Sequence, residues 1–158
     1  MTVADLWTEC YQGEVLGEAF FATLAEGEAD AERRQQLEAL TRLERATREL
    51  AEPVFERNGY DRGDSEAGAE AARNSARAAS AMGWADLLHS VCTVAETYLV
   101  KYRELVDLVD NDEDRVVAEA YVDHELALVA FARRALGEEA GDPLELIFAL
   151  PHVAGAPR

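Results

Sequence analysis

An all-helical bundle is the fold this chain predicts, and three observations predict it. Strand signals are nearly absent: no run alternates β-branched with polar residues, and no Asn-Gly or Asp-Gly pair joins two strand-like segments. Ala, Leu, Glu and Arg dominate, the residues that give up least freedom on entering a helix. Four long stretches repeat apolar residues at alternating steps of four and three, the spacing that lines one helix face.

The first helix runs from Thr2 or Val3 to Ala25, with Val3, Trp7, Cys10, Glu14, Gly17, Phe21 and Leu24 on one seam, widened by Leu6, Tyr11 and Phe20. "EGEAD" is a turn, and Asp30 is placed to cap the second helix. That helix spans Ala31 to Glu52 with Leu37, Leu40, Glu44, Thr47 and Ala51 inward, and Pro53 ends or kinks it. "NGYDRGDSEAG" reads as loop, and the alanine-rich run after it can add a short helix, which makes this the long connection of the fold. The third helix starts between Ala81 and Trp84 and reaches Val109, its seam passing Ala85, Leu88, Cys92, Ala95, Leu99, Tyr102 and Val106, with Glu96 and His89 at the edge. After the turn "DNDED", the fourth helix covers Glu113 to Leu136 through Val117, Tyr121, His124, Leu128, Phe131 and Ala135, with Gly137 as its C-terminal stop. In "GDPLELIFAL", Asp142 as cap and Pro143 at the first helical position predict a short fifth helix covering one end.

At 158 residues the chain is read as one domain, 1–158, able to bury roughly two-thirds of the surface its unfolded form exposes. The formal charge of -17, with no basic cluster, argues against nucleic acid as partner. No run reaches the ~18 apolar residues of a membrane span, and no basic, apolar leader precedes the first helix. Cys10 and Cys92 both lie in apolar stretches and read as reduced core thiols, so the expected compartment is the cytoplasm. The excess of arginine over lysine suggests GC-rich bacterial coding and is silent on chemistry.

Each of the four helices carries an ionisable group at or beside its inward seam: Glu14, Glu44, Glu96 and His124. Glu14 and Glu44 are equidistant from Ala29 in the first turn, and Glu96 and His124 from Asp110 in the second, so each pair is expected at one level of its hairpin. Buried carboxylates left alone would each cost several kcal/mol (~2–7 even for a neutral polar group) and would repel one another. Carboxylate and imidazole are donors that iron and manganese accept, and bundle cores assemble such sites from facing helices.

On these residues the chain resembles the ferritin-like superfamily of di-iron carboxylate proteins. The family pattern is Glu on the first helix, Glu-x-x-His on the second, Glu on the third and Glu-x-x-His on the fourth. The resemblance implies a ferritin-like four-helix bundle: two antiparallel hairpins, a long crossover and a short C-terminal helix. It also implies a metal set drawn from Glu14 or Glu18, Glu44, Glu96, His124 and Glu125, holding iron or manganese. Two positions depart from the pattern. Thr47 in "ERAT" stands where a histidine belongs, and Tyr121 in "YVDH" where a glutamate belongs, so Glu18 or Glu125 would have to be recruited.

The implied activity is oxidation of a small molecule, with Glu44, Glu96, Tyr121 and His124 as catalytic candidates and Trp7, Tyr11 and Thr47 as substrate contacts. Two other readings stand beside it: a metal-free pocket in which Glu44 or Glu96 is an acid or base, and an interaction bundle without chemistry. A buried polar network neutralised by Arg103 would equally account for the acids. His89 with Cys92 reads as end packing rather than a second site, and "DNDED" lacks the glycine and final glutamate of a calcium loop. Such bundles commonly pair, so a homodimer is a candidate assembly.

Overall fold

The computed structural model describes residues 1–155. Helix α1 covers Val3–Gly27, α2 Ala31–Asn58, α3 Ser65–Ala79, α4 Trp84–Leu108 and α5 Asp112–Ala135, followed by two short turns of helix, α6 Glu145–Ala149 and α7 Pro151–Ala154. Side-chain caps set several starts. The Thr2 hydroxyl accepts from Asp5 N at 3.1 Å while Thr2 N donates to Asp5 Oδ2 at 2.8 Å, and Asp30 accepts from Arg33 N at 2.9 Å.

Three elements differ from the sequence expectation. Pro53 does not end α2, which continues to Asn58 and stops at Gly59 in the left-handed region, φ 66°. Pro53 and Glu49 lie on the exposed face, so the carbonyl that loses its donor can turn to water. The alanine-rich run is a 15-residue helix, α3, capped by Asp64. Asp142 and Pro143 form a turn, in which Asp142 Oδ1 accepts from Leu144 N at 2.8 Å, and α6 begins only at Glu145.

Helices α1 and α2 form one hairpin and α4 and α5 the other; α1 meets α4 and α2 meets α5, closing a four-helix frame. The crossover element α3 lies along α1 and barely meets α4. Its entry is pinned to α1: Thr8 Oγ1 donates to Asp61 O at 2.6 Å, and Gln12 Nε2 donates to Ser65 Oγ at 3.1 Å and to Arg62 O. At the same end, Asp114 of α5 accepts from Arg57 at 2.5 Å and Asn58 at 2.8 Å, clipping the end of α2 to the start of α5. Among the described residues, no helix is long and apolar enough to cross a membrane.

The apolar core falls into two clusters. One gathers Phe21, Leu24, Leu40, Leu43, Leu88, Val91, Leu128 and Phe131, with Ile147 and Val153 of the C-terminal segment sealing it. The other gathers Trp7, Tyr11, Phe55, Tyr102, Leu105 and Tyr121, with Trp7 packed edge-on to Phe55 and Tyr121. Between them lies a layer of polar side chains from α1, α2 and α5.

Candidate functional site

Helical spacing builds this layer. Glu44 and Thr47 are three apart on α2 and share its inner face; Glu14 sits one turn before Gly17 on α1. His124 is wholly buried and Glu14 is 1% exposed, with Glu44 at 5% and Glu125 at 4%. Glu14 Oε1 accepts from the Tyr102 hydroxyl of α4 at 2.8 Å. His124 Nδ1 stands 3.2 Å from Glu14 Oε2, and its Nε2 3.5 Å from Glu44 Oε1. Thr47 Oγ1 donates to Leu43 O at 2.9 Å and lies 2.9 Å from both His124 Nδ1 and His152 Nε2.

Two glycines of α1 make room for this. A methyl group on Gly17 would overlap the Glu44 carboxylate, and one on Gly13 would come within 2.8 Å of the Tyr98 ring. Glycine costs a helix interior about 1 kcal/mol relative to alanine, so the space is obtained at some loss of helix stability.

Burial and proximity set the charge states. Burial, with Glu14 close by, pushes the Glu44 carboxyl well above the usual range, although His124 opposes this. Burial raises Glu125 to about 8. Burial alone would lower His124, but the carboxylates of Glu14 and Glu44 outweigh it and hold the imidazole well above its ordinary value.

A cavity of about 330 Å³ opens beside the layer, walled by α1, α3 and α4. Leu16, Phe20, Phe21, Leu87, Val91, Ala95 and Leu128 make its sides apolar, and Glu44, Glu125 and Tyr102 stand among its lining. Exposed Ser75 of α3 and Ser90 and Val94 of α4 flank the mouth. The cavity exists because α3, which buries only Ala72 and Ala76, packs on α1 without closing against α4. Its volume and lining suit a small apolar molecule.

Of the residues expected at the site, Glu14, Glu44, Thr47, His124 and Glu125 converge. Glu125, next to the seam residue His124, is itself buried, at 4% exposure. Glu18 is not a donor here: it faces Arg45 at 2.7 Å and Arg48 at 2.9 Å outside the layer. Glu96 is a correction. Its side chain is 53% exposed and pairs with Arg133 at 3.1 Å, because Ala95 holds the inward position and the next residue is turned about 100° away. Tyr121 is buried between Trp7 and Tyr102, and its hydroxyl has no hydrogen-bond partner. Trp7 and Tyr11 belong to the second apolar cluster rather than to the cavity wall, and the Tyr11 hydroxyl donates to Glu52 at 2.7 Å. Arg103 is exposed and neutralises nothing in the layer. His89 is exposed and lies 3.6 Å from Glu138. Cys10 and Cys92 are free thiols, and burial pushes Cys10 up and out of reactivity.

Sequence reasoning missed Tyr102 as a donor to Glu14 and missed His152 entirely. Tyr102 was on the inward seam, but a hydroxyl contact is invisible to periodicity. His152 comes from the last short helix, placed by buried Val153 and by Arg42 donating to Val153 O at 2.8 Å.

The donors fit one cation. Glu14 Oε2, His124 Nε2 and Glu125 Oε2 are buried and have no hydrogen-bond partner, and one ligand atom from each of these residues lies within 4.8 Å of the others. Bonds of about 2 Å place donors up to about 4 Å apart, so small side-chain movements would close the set. Comparison with protein-family models, curated proteins and solved structures found no match.

Proposed function

We propose that the chain is a ferritin-like helical-bundle metalloprotein that holds one iron or manganese ion through Glu14, His124 and Glu125, with Glu44 beside them, and oxidises a small apolar molecule. The observation that carries this reading is the convergence of Glu14, His124 and Glu125, each with a buried atom that has no hydrogen-bond partner, beside an apolar cavity. A protein core tolerates such orphans at a cost of ~1–3 kcal/mol each, and a cation removes the cost.

The bound ion would supply redox and Lewis-acid chemistry. The chain's own residues supply the rest. The cavity wall from Leu16 to Leu128 binds and orients the substrate and excludes water, and Glu44 and Glu125 stand against it. Tyr102 holds Glu14 in place through its hydroxyl. Glu96 lies outside the layer and is not among the residues that would hold the ion.

Elemental analysis after anaerobic loading with iron(II) or manganese(II) and desalting tests the reading. About one ion per chain is expected, with loss in Glu14→Ala and Glu125→Gln. Protein that stays metal-free after loading, with any activity indifferent to chelator, would refute it. One observation favours a second reading in that event: Glu125, at about 8 and lining the cavity, suits a proton donor or acceptor near neutrality.

A further inference from the structure

The Thr47 hydroxyl joins two imidazoles that are 28 residues apart in sequence: His124 Nδ1 and His152 Nε2, each at 2.9 Å. A hydroxyl has one hydrogen to give and two lone pairs. Thr47 points its hydrogen at Leu43 O, 2.9 Å away in the preceding turn, so both imidazoles must donate to it. His124 therefore carries a hydrogen on Nδ1. Nε2 is the nitrogen without a hydrogen-bond partner.

We propose that His152 is a positioning residue: acting through Thr47, it fixes His124 with its hydrogen on Nδ1 and offers Nε2 to the cation. The C-terminal segment is thereby part of the centre. Where the family pattern places a histidine at position 47, this chain has a threonine, and an imidazole reaches that threonine from position 152 instead. The segment is built to deliver it. Pro151 starts α7, Val153 is wholly buried, and Arg42 bonds the Val153 carbonyl, leaving His152 no freedom to drift from Thr47. Supporting hydrogen bonds of this kind fix the orientation and basicity of a ligating imidazole, and their loss lowers metal affinity roughly 10–100-fold.

The inference rests on the metal reading above, and the test separates the two. Nitrogen-15 NMR of histidine-labelled protein, metal-free and then titrated with zinc, reports which ring nitrogen carries hydrogen and which one binds. In metal-free protein His124 should show a slowly exchanging Nδ1 proton that shifts in Thr47→Val and His152→Phe and returns in Thr47→Ser. On zinc addition Nε2 should change, and zinc affinity should fall at least tenfold in Thr47→Val and His152→Phe. His152→Gln, which keeps an N–H donor, should recover most of it. Coordination through Nδ1, or a Nδ1 proton and affinity untouched by Thr47→Val and His152→Phe, would overturn the assignment. A wild-type chain that binds no zinc but shows the Nδ1 pattern would keep the positioning role and sink the metal reading.

Discussion

Replacing His124 with leucine removes the imidazole that stands 3.2 Å from Glu14 and 3.5 Å from Glu44 and leaves two acidic side chains facing an apolar group. Breaking a buried ion pair from one side costs about 3–5 kcal/mol, because the remaining charge has neither partner nor water. Glu44, pushed up by burial, can take a proton, which holds the cost near the lower end. For a chain of this size 1 kcal/mol moves the melting temperature by roughly 2–4 °C, so His124→Leu should melt about 6–12 °C lower. The informative partner is a fourfold variant, Glu14→Met, Glu44→Met, Tyr102→Phe and His124→Leu, which removes the imidazole, the two carboxylates beside it and the hydroxyl that bonds Glu14, while Glu125, raised to about 8 by burial, stays largely uncharged at pH 7. Well-packed apolar replacements of buried ionic groups are neutral or stabilising by about 1–4 kcal/mol, so this variant should melt at or above wild type. Unfolding is followed by circular dichroism and calorimetry on metal-free protein in chelator. A fourfold variant as unstable as the single one would refute the reasoning, since the layer would then hold the fold together rather than being maintained at its expense.

Asp114→Ala should cost about 1.5–3 kcal/mol in urea unfolding at pH 7 by unclipping α2 from α5. Burial alone would raise Asp114, but the hydrogen bonds from Asn111, Arg57 and Asn58 outweigh it and hold the carboxyl below its usual range. Its stabilisation is therefore complete above about pH 4–5, and the gap between wild type and variant should close as pH falls through that depressed value. Gly17→Ala should leave the melting temperature nearly unchanged, the helix gaining ~1 kcal/mol while the Glu44 head is displaced toward the cavity. Metal affinity measured on the same protein should drop at least tenfold if Glu44 completes the centre. Glu96→Gln should change neither metal content nor stability beyond ~0.5 kcal/mol, as befits a partly exposed surface pair.

The helical frame was legible because burial of one face imposes a period close to 3.6, and that period is written in Leu37, Leu40, Glu44, Thr47 and Ala51 as clearly as in any purely apolar seam. Glu14, Glu44 and His124 were legible for a second reason: distance from a tight turn fixes height in a hairpin. Height does not fix direction. Glu96 and Glu125 each adjoin an inward residue; Glu96 turned out to solvent, whereas Glu125 stayed buried because α5 packs α4 on one side and faces the cavity on the other. The cavity and His152 were beyond local pattern altogether. Each depends on where a connecting segment comes to rest, α3 on α1 and the C-terminal turns on α2, and such contacts are decided by the shapes of surfaces already folded.

The thin wall that α3 gives the cavity separates two tasks along the chain. Ala71, Ala72 and Ser75 shape the opening, yet they belong to the crossover and not to the four helices that carry Glu14, Glu44, His124 and Glu125. Changes confined to that 15-residue insert would therefore reshape the opening without touching the frame or its buried acids.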